Sequence, residues 1–163
     1  MTDEMLDLAR RNRGEAGVEI AEFLKGEIEA VPLPDAHVKV VISNRVVNLF
    51  ADKPRVISEA FRVLKPGGRF AVSDVVFLGD KGNLPREVLE TVGLWTGCVV
   101  GALETSEYEA LLAGAGFGDV SVEVTNVYEP EMIEGLDTEE KRDALRRVPA
   151  ASAFVRARKP GAG

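Results

Sequence analysis

Between Val40 and Val76 the chain reads VVISNRVVNLFADKPRVISEAFRVLKPGGRFAVSDVV, a run that passes from apolar segment to polar tip, helical pattern, tight turn and second apolar segment. Val38 to Ser43 is mostly apolar, as expected of a strand covered on both faces in a parallel sheet. Behind Asp52, which can cap a helix carrying Pro54 in its first turn, Val56, Ile57, Ala60, Phe61 and Leu64 recur at helical spacing. Lys65-Pro66-Gly67-Gly68 stops that helix, and Arg69 to Phe77 predicts a second interior strand. A strand, a crossover helix and a second strand pack as a right-handed parallel unit in almost every case. The fold class is therefore α/β.

The flanks extend this unit. Thr2 can cap a helix over Asp3 to Arg13, Ile20 to Lys25 reads as a short strand, and Gly26 to Glu29 is its polar exit. Pro32 and Pro34 forbid regular structure until Val38. Downstream, a helix is expected from Pro85 to Thr96, and Ser106 with Glu109 forms a capping-box pattern before a helix that Gly114 and Gly116 end. Asp119 to Tyr128 alternates as a strand, Glu129 to Arg147 reads as loop and a short charged helix, and Ala151 to Arg158 closes the chain as a strand. The last two strands lack a long crossover helix between them and should pair antiparallel. With 163 residues and no repeat or linker, residues 1–163 are expected to form a single domain.

Composition narrows the partners. A formal net charge of -7 argues against nucleic acid or an anionic membrane. No apolar run approaches the roughly 20 residues that span a bilayer, and the N-terminus lacks a signal-peptide pattern, so a cytoplasmic location is expected. The single cysteine, Cys98, excludes an internal disulfide and cannot build a multi-cysteine metal site, and the single histidine, His37, limits acid–base options.

This pattern resembles the class I methyltransferases that use S-adenosylmethionine, whose Rossmann-like sheet ends in an antiparallel strand inserted beside strand five. Within that group it is similar to arsenite methyltransferases, on the segments Thr2-Asp3-Glu4-Met5-Leu6, Phe23-Leu24-Lys25-Gly26-Glu27-Ile28-Glu29, Ile42-Ser43-Asn44-Arg45-Val46-Val47-Asn48-Leu49 and Leu94-Trp95-Thr96-Gly97-Cys98-Val99-Val100-Gly101-Ala102-Leu103. The Leu-Lys-Pro-Gly-Gly turn is shared more widely. The resemblance implies that Glu27 and Ile28 line the adenine of S-adenosylmethionine, that Ser43 and Asn44 line its methionine part, and that Met1 touches the adenine. It implies thiolate ligands for trivalent arsenic, a soft acceptor suited to soft sulfur. Cys98 matches one of them, whereas Arg45 stands where the family carries another.

The resemblance also implies that the glycine-bearing donor loop and the ribose-binding acid precede the position of Met1. The expected architecture is thus a partial methyltransferase sheet lacking its first two strands, with an exposed apolar edge that invites a homodimer or a complementing chain. Activity by these residues alone is not expected. Two alternatives stay open beside the arsenite reading: a non-catalytic remnant or binding module, and a methyltransferase of another small molecule whose anionic acceptor Arg45 recognises. Plainer readings also stand for single residues. Ser43 and Asn44 can be turn formers, Glu27 a solvated residue, Cys98 a small buried hydrophobe, Arg45 a surface residue, and Asp74 a cavity border or the cap of the next loop. His37 is expected to be exposed, and the basic cluster Lys141, Arg142, Arg146 and Arg147 to be a solvated helix face.

Overall fold

A computed structural model describes residues 2–96 and 101–161. Strands β1 (Val38–Asn44) and β2 (Leu64–Phe77) lie parallel and are joined through a single 3-10 turn at Val47–Leu49 and helix α2 (Lys53–Val63). Asp52 caps α2, its Oδ1 accepting from the Arg55 N–H at 3.0 Å, and Val56, Ile57, Ala60 and Val63 are the buried stripe. The Lys65–Gly68 turn stops the helix as expected but does not delay the strand. Leu64 already pairs with Val38 and Arg69 with Val40, so the turn bulges out of β2, with Gly67 at φ 74°.

The remaining elements are α1 (Asp3–Glu15), α3 (Arg86–Thr96), β3 (Leu103–Glu104), α4 (Thr105–Gly114), β4 (Gly118–Val127), α5 (Glu139–Arg147) and β5 (Ala150–Arg158). The sheet order is β1-β2-β5-β4, with β3 parallel to the end of β2. The closing strand β5 is inserted antiparallel between β2 and β4, the finish that the sequence led us to expect.

Alternation along β2 divides the interior in two. Phe70, Val72 and Val76 face α2 and α4 together with Ile57, Leu64, Tyr108 and Leu112. Val75 and Phe77 face the opposite way, onto Val88, Val92, Leu136 and Leu145 of the α3 and α5 region. The basic cluster lies on α5, but only Arg146 and Arg147 are exposed as expected, while Lys141 and Arg142 are half-buried. Arg146 reaches Glu131, Glu139 and Asp143, and Lys141 reaches Glu87 and Asp137. His37 is exposed.

Two local expectations are corrected. Ile20 to Lys25 is not a strand. Its backbone joins no ladder, and the nearest pairing is an isolated bridge between Glu27 and Ala30. A strand exists only through a partner, and this segment finds none among the described residues. The capping box is not Ser106 with Glu109 but Glu104 with Glu107, the Glu104 N–H donating to Glu107 Oε2 at 2.8 Å. Pairing of Phe77 with Glu104 keeps the chain extended up to Glu104, which fixes the start of α4 there.

On its outer side β1 has no paired strand among the described residues, and Val40 and Ile42 are 43% and 78% exposed. The 26–35 loop ahead of it is tied to α2 instead. Arg62 donates to the carbonyls of Val31 and Leu33 and to Asp35, while Arg55 donates to the Glu29 carbonyl.

Candidate functional site

β1 ends where Asn44 pairs with Ser73, and the chain turns at Arg45, whose N–H donates to the Ser73 carbonyl at 2.8 Å. Arg45 takes a left-handed backbone with φ 58°, uncommon outside glycine. Ser43 is half-buried, while Asn44 and Arg45 are exposed. Glu27 and Ile28 lie in a tight turn closed by the Ala30 N–H donating to the Glu27 carbonyl at 3.1 Å. Glu27 is exposed, and Ile28 packs against the core beneath α2. Because Arg55, in the first turn of α2, donates to the Glu29 carbonyl, this turn sits beside the start of α2, at the end of the crossover where β1 finishes. Glu27, Ile28, Ser43, Asn44 and Arg45 thereby share the carboxyl edge of the parallel strands, where open α/β sheets take their ligands. Met1 and Cys98 lie outside the described residues. A groove of about 450 Å³ lined by Val40, Arg69, Ala71 and Arg156 opens near the start of β1 and so lies away from that edge.

Directly behind the tip is a buried polar network. Asp74 is 1% and Asn48 2% exposed, in a row otherwise made of Phe70, Val72 and Val76. The Asp74 carboxylate accepts from Asn48 Nδ2 at 2.7 Å, from the Val75 N–H at 2.9 Å and from the Tyr108 hydroxyl at 3.0 Å. Burial pushes its carboxyl up, opposed by these hydrogen bonds and by the charge of Arg45. Lys53, whose ammonium donates to the Phe50 carbonyl at 2.9 Å, is lowered by burial and by the neighbouring Lys81, with Asp74 and Glu107 opposing. Lys81 in turn pairs with Glu107 and donates to the Ala102 carbonyl. Among the described residues no group of three or more His, Cys, Asp or Glu side chains is placed to hold a metal ion.

The methyltransferase domain family matches the chain over residues 1–116. The chain belongs to that family. The chain is 44% identical over 122 residues to the arsenite methyltransferase of Halobacterium salinarum, a match that covers 75% of this chain and 30% of that protein. The human arsenite methyltransferase is 40% identical over 100 residues, covering 58% of this chain and 25% of its own length. The crystal structure of an arsenic(III) S-adenosylmethionine methyltransferase from Chlamydomonas reinhardtii superposes with a TM-score of 0.71 at 32% identity, over 98% of this chain and 54% of that one. The chain thus spans about a third or less of the length of these two arsenite methyltransferases. The family and these relatives point to S-adenosylmethionine as the methyl donor.

The residues at hand fit only part of that donor. Holding a nucleotide-like group closely calls for glycines whose missing Cβ leaves room for ligand. Among the described residues the close-approach glycines are filled by the protein itself: Gly26 by Pro32, Gly68 by the Lys65 carbonyl, Gly82 by Asp80 and Gly101 by the Asn48 carbonyl. The described residues therefore offer a turn and a strand tip, but no glycine cradle for the donor.

Gly101 is the informative one. A Cβ there would lie 2.6 Å from the Asn48 carbonyl oxygen and 3.1 Å from Lys53 Nζ, so only glycine lets the backbone at this residue rest on the turn that follows Arg45. Gly101→Ala is expected to destabilise by about 1–3 kcal/mol, because a backbone oxygen cannot swing aside as a side chain can. Gly114→Ala, at the end of α4 with nothing within 4 Å of the added carbon, is expected to be neutral or stabilising by up to about 1 kcal/mol. Thermal unfolding of the two variants should show shifts of different sign.

Sequence reasoning missed Asn48 and Tyr108 as partners of Asp74. The signal was present in part: a Phe-x-Val-x-Asp-x-Val alternation over Phe70 to Val76 puts the carboxylate on the buried face.

Proposed function

We propose that residues 1–163 act as one domain, the acceptor-side part of a methyltransferase of the arsenite-methylating type, which moves a methyl group from S-adenosylmethionine to trivalent arsenic. In this reading Glu27, Ile28 and Met1 flank the adenine, Ser43 and Asn44 face the methionine part, and Cys98 supplies one thiolate to arsenic, with Arg45 beside it. The chemistry asks the protein for alignment and exclusion of water rather than for acid–base groups. The observation that carries the reading is the seating of Gly101 on Asn48. It brings Gly101, three residues after Cys98 in sequence, against the turn that follows Arg45, which supports a reading in which both positions serve one acceptor.

The glycine cradle is supplied from outside the described residues, along the unpaired edge of β1, by a complementing chain or by further residues of the same protein. Calorimetry of residues 1–163 with S-adenosylmethionine should show no stoichiometric binding. Binding should return when a polypeptide carrying a glycine-rich strand-loop-helix is added, and sedimentation should then show a heterodimer. Tight binding by residues 1–163 alone would overturn the need for a supplied cradle.

Arg45 favours a second reading, that of a non-catalytic module. Its charge acts on Asp74 and so has a structural use, and a guanidinium offers arsenic no lone pair.

A further inference from the structure

We propose that Asp74 is a positioning residue that locks the Arg45–Leu49 turn to α4 and, through Asn48, fixes the seat on which Gly101 rests. The inference builds on the reading above, in which that turn and Gly101 border one site.

Asp74 occupies a position on β2 whose neighbours on the same face, Val72 and Val76, are apolar and buried. A carboxylate in such a row is more expensive than a valine unless its oxygens are used, and buried ionic groups often contribute less to stability than an apolar side chain of similar size would. Here both oxygens are used, and the side-chain donors come from different elements. Oδ1 takes Asn48 Nδ2 from the turn, along with the Val75 N–H of its own strand, and Oδ2 takes the Tyr108 hydroxyl from α4.

Asn48 is then held in one orientation. Its Nδ2 also donates to the Val75 carbonyl at 2.8 Å, so rotating the amide would set its oxygen against two acceptors. Its Oδ1 is buried and has no hydrogen-bond partner among the described residues, which shows that the amide is placed by its donor side alone. With the side chain fixed on Asp74 and Val75, the main-chain carbonyl of Asn48 is aimed at Gly101, where there is no room for a Cβ. The chain of contacts runs from Tyr108 through Asp74 and Asn48 to Gly101, and it crosses from α4 to the tip of β1. The charges of Arg45 and Lys53 act on the same carboxylate from the turn and from α2.

Asp74→Asn keeps the size of the side chain but removes its charge and replaces one acceptor with an NH2 group, which either opposes the Asn48 and Val75 donors or forces the Tyr108 hydroxyl to turn from donor to acceptor. Tyr108→Phe removes a single hydrogen bond and keeps the ring. The chain contains one cysteine and one tryptophan, Cys98 and Trp95, both within six residues of Gly101, so neither a ligand nor a label is needed as reporter. The experiment measures the alkylation rate of Cys98 by iodoacetamide at one pH, the Trp95 emission and the melting temperature, for the wild type, Asp74→Asn, Tyr108→Phe and Val72→Ala. Val72 lies on the same face of β2 but makes no polar link to the turn.

The expected result is a change of threefold or more in the Cys98 rate for Asp74→Asn, and a smaller change in the same direction for Tyr108→Phe, each with a shift in Trp95 emission. Val72→Ala should lower the melting temperature and leave the Cys98 rate and the Trp95 emission at wild-type values. Rates that follow melting temperature across all variants would overturn the proposal, as would an unchanged rate in Tyr108→Phe if Asp74→Asn does not fold. Because no donor or acceptor is present in the assay, failure of the methyltransferase reading would leave this result intact.

Discussion

Phe117→Ala is expected to destabilise the protein by about 3–5 kcal/mol, the usual cost of deleting a buried ring. Phe117 is 5% exposed and packs edge-on against Phe61, with ring centroids 5.0 Å apart, and at a tilt against Phe70 at 5.5 Å. Its position is set by the way α4 ends. The Gly116 N–H donates to the Ala113 carbonyl at 3.0 Å and the Phe117 N–H to the Leu112 carbonyl at 3.1 Å, with Gly116 at φ 97°. That is a Schellman ending, which turns the next side chain back under the helix.

Space explains why the ending needs glycine as much as φ does: a Cβ at Gly116 would stand 3.2 Å from the Phe61 ring. Lys159 closes the same corner from above, its ammonium 4.4 Å from the Phe61 ring centroid and bonded to the carbonyls of Phe61 and Leu64 at 2.8 Å. Phe117 therefore joins α2, α4 and β2, and no neighbour can move in to fill its place without breaking one of these contacts. Single domains are stable by only about 5–15 kcal/mol, so the loss should lower the melting temperature by on the order of 10 °C. Phe117→Leu should recover more than half of it. A Phe117→Ala protein that melts within about 2 °C of wild type would show that this corner is not part of the cooperative core.

The parts of the fold that could be read from sequence are those whose burial leaves a period. The strand-helix-strand from Val38 to Phe77 was legible because each segment carries its own pattern: an apolar run, a helical stripe and an alternating strand. The expectation that β1 is covered on both faces is corrected, since with no outer partner strand among the described residues its Val40 and Ile42 stay exposed. Ile20 to Lys25 was misread because strand character depends on a neighbour, and a short apolar segment with nothing to pair with among the described residues stays irregular. The capping box was misplaced for a related reason. Ser106-x-x-Glu109 satisfies the local rule, but pairing of β3 with β2 decides where the chain stops being extended, and Glu104 with Glu107 is what remains at that point.

The candidate site divides in the same way. Ser43 to Arg45 could be placed because a polar tip ending an apolar strand has few other places to go. The Asp74 network could not, because its three side chains come from β2, the 47–49 turn and α4, and only the packed fold brings Asn48 and Tyr108 to one carboxylate.

Arg45→Cys is expected to raise affinity for a trivalent phenylarsenical on the order of 100-fold, because a second thiolate would bind in the same molecule as Cys98 and at high effective concentration. The backbone tolerates the change. Arg45 already sits at φ 58° without being glycine, so cysteine meets the same conformational cost rather than a new one. The Ser73 carbonyl keeps its bond, since the donor is the main-chain N–H of residue 45. What the substitution removes is the guanidinium charge, which helps to hold the Asp74 carboxylate ionised, so some loss of stability at neutral pH should accompany the gain in affinity.

Three proteins separate the explanations. Arg45→Cys should gain affinity, Arg45→Ala should not, and Arg45→Cys combined with Cys98→Ser should return to the single-thiol level of the wild type. Titration followed by the loss of thiols reactive toward a chromogenic disulfide reads all three. Equal affinity for Arg45→Cys and Arg45→Ala would mean that the two positions do not converge on one acceptor, and the non-catalytic reading would then stand.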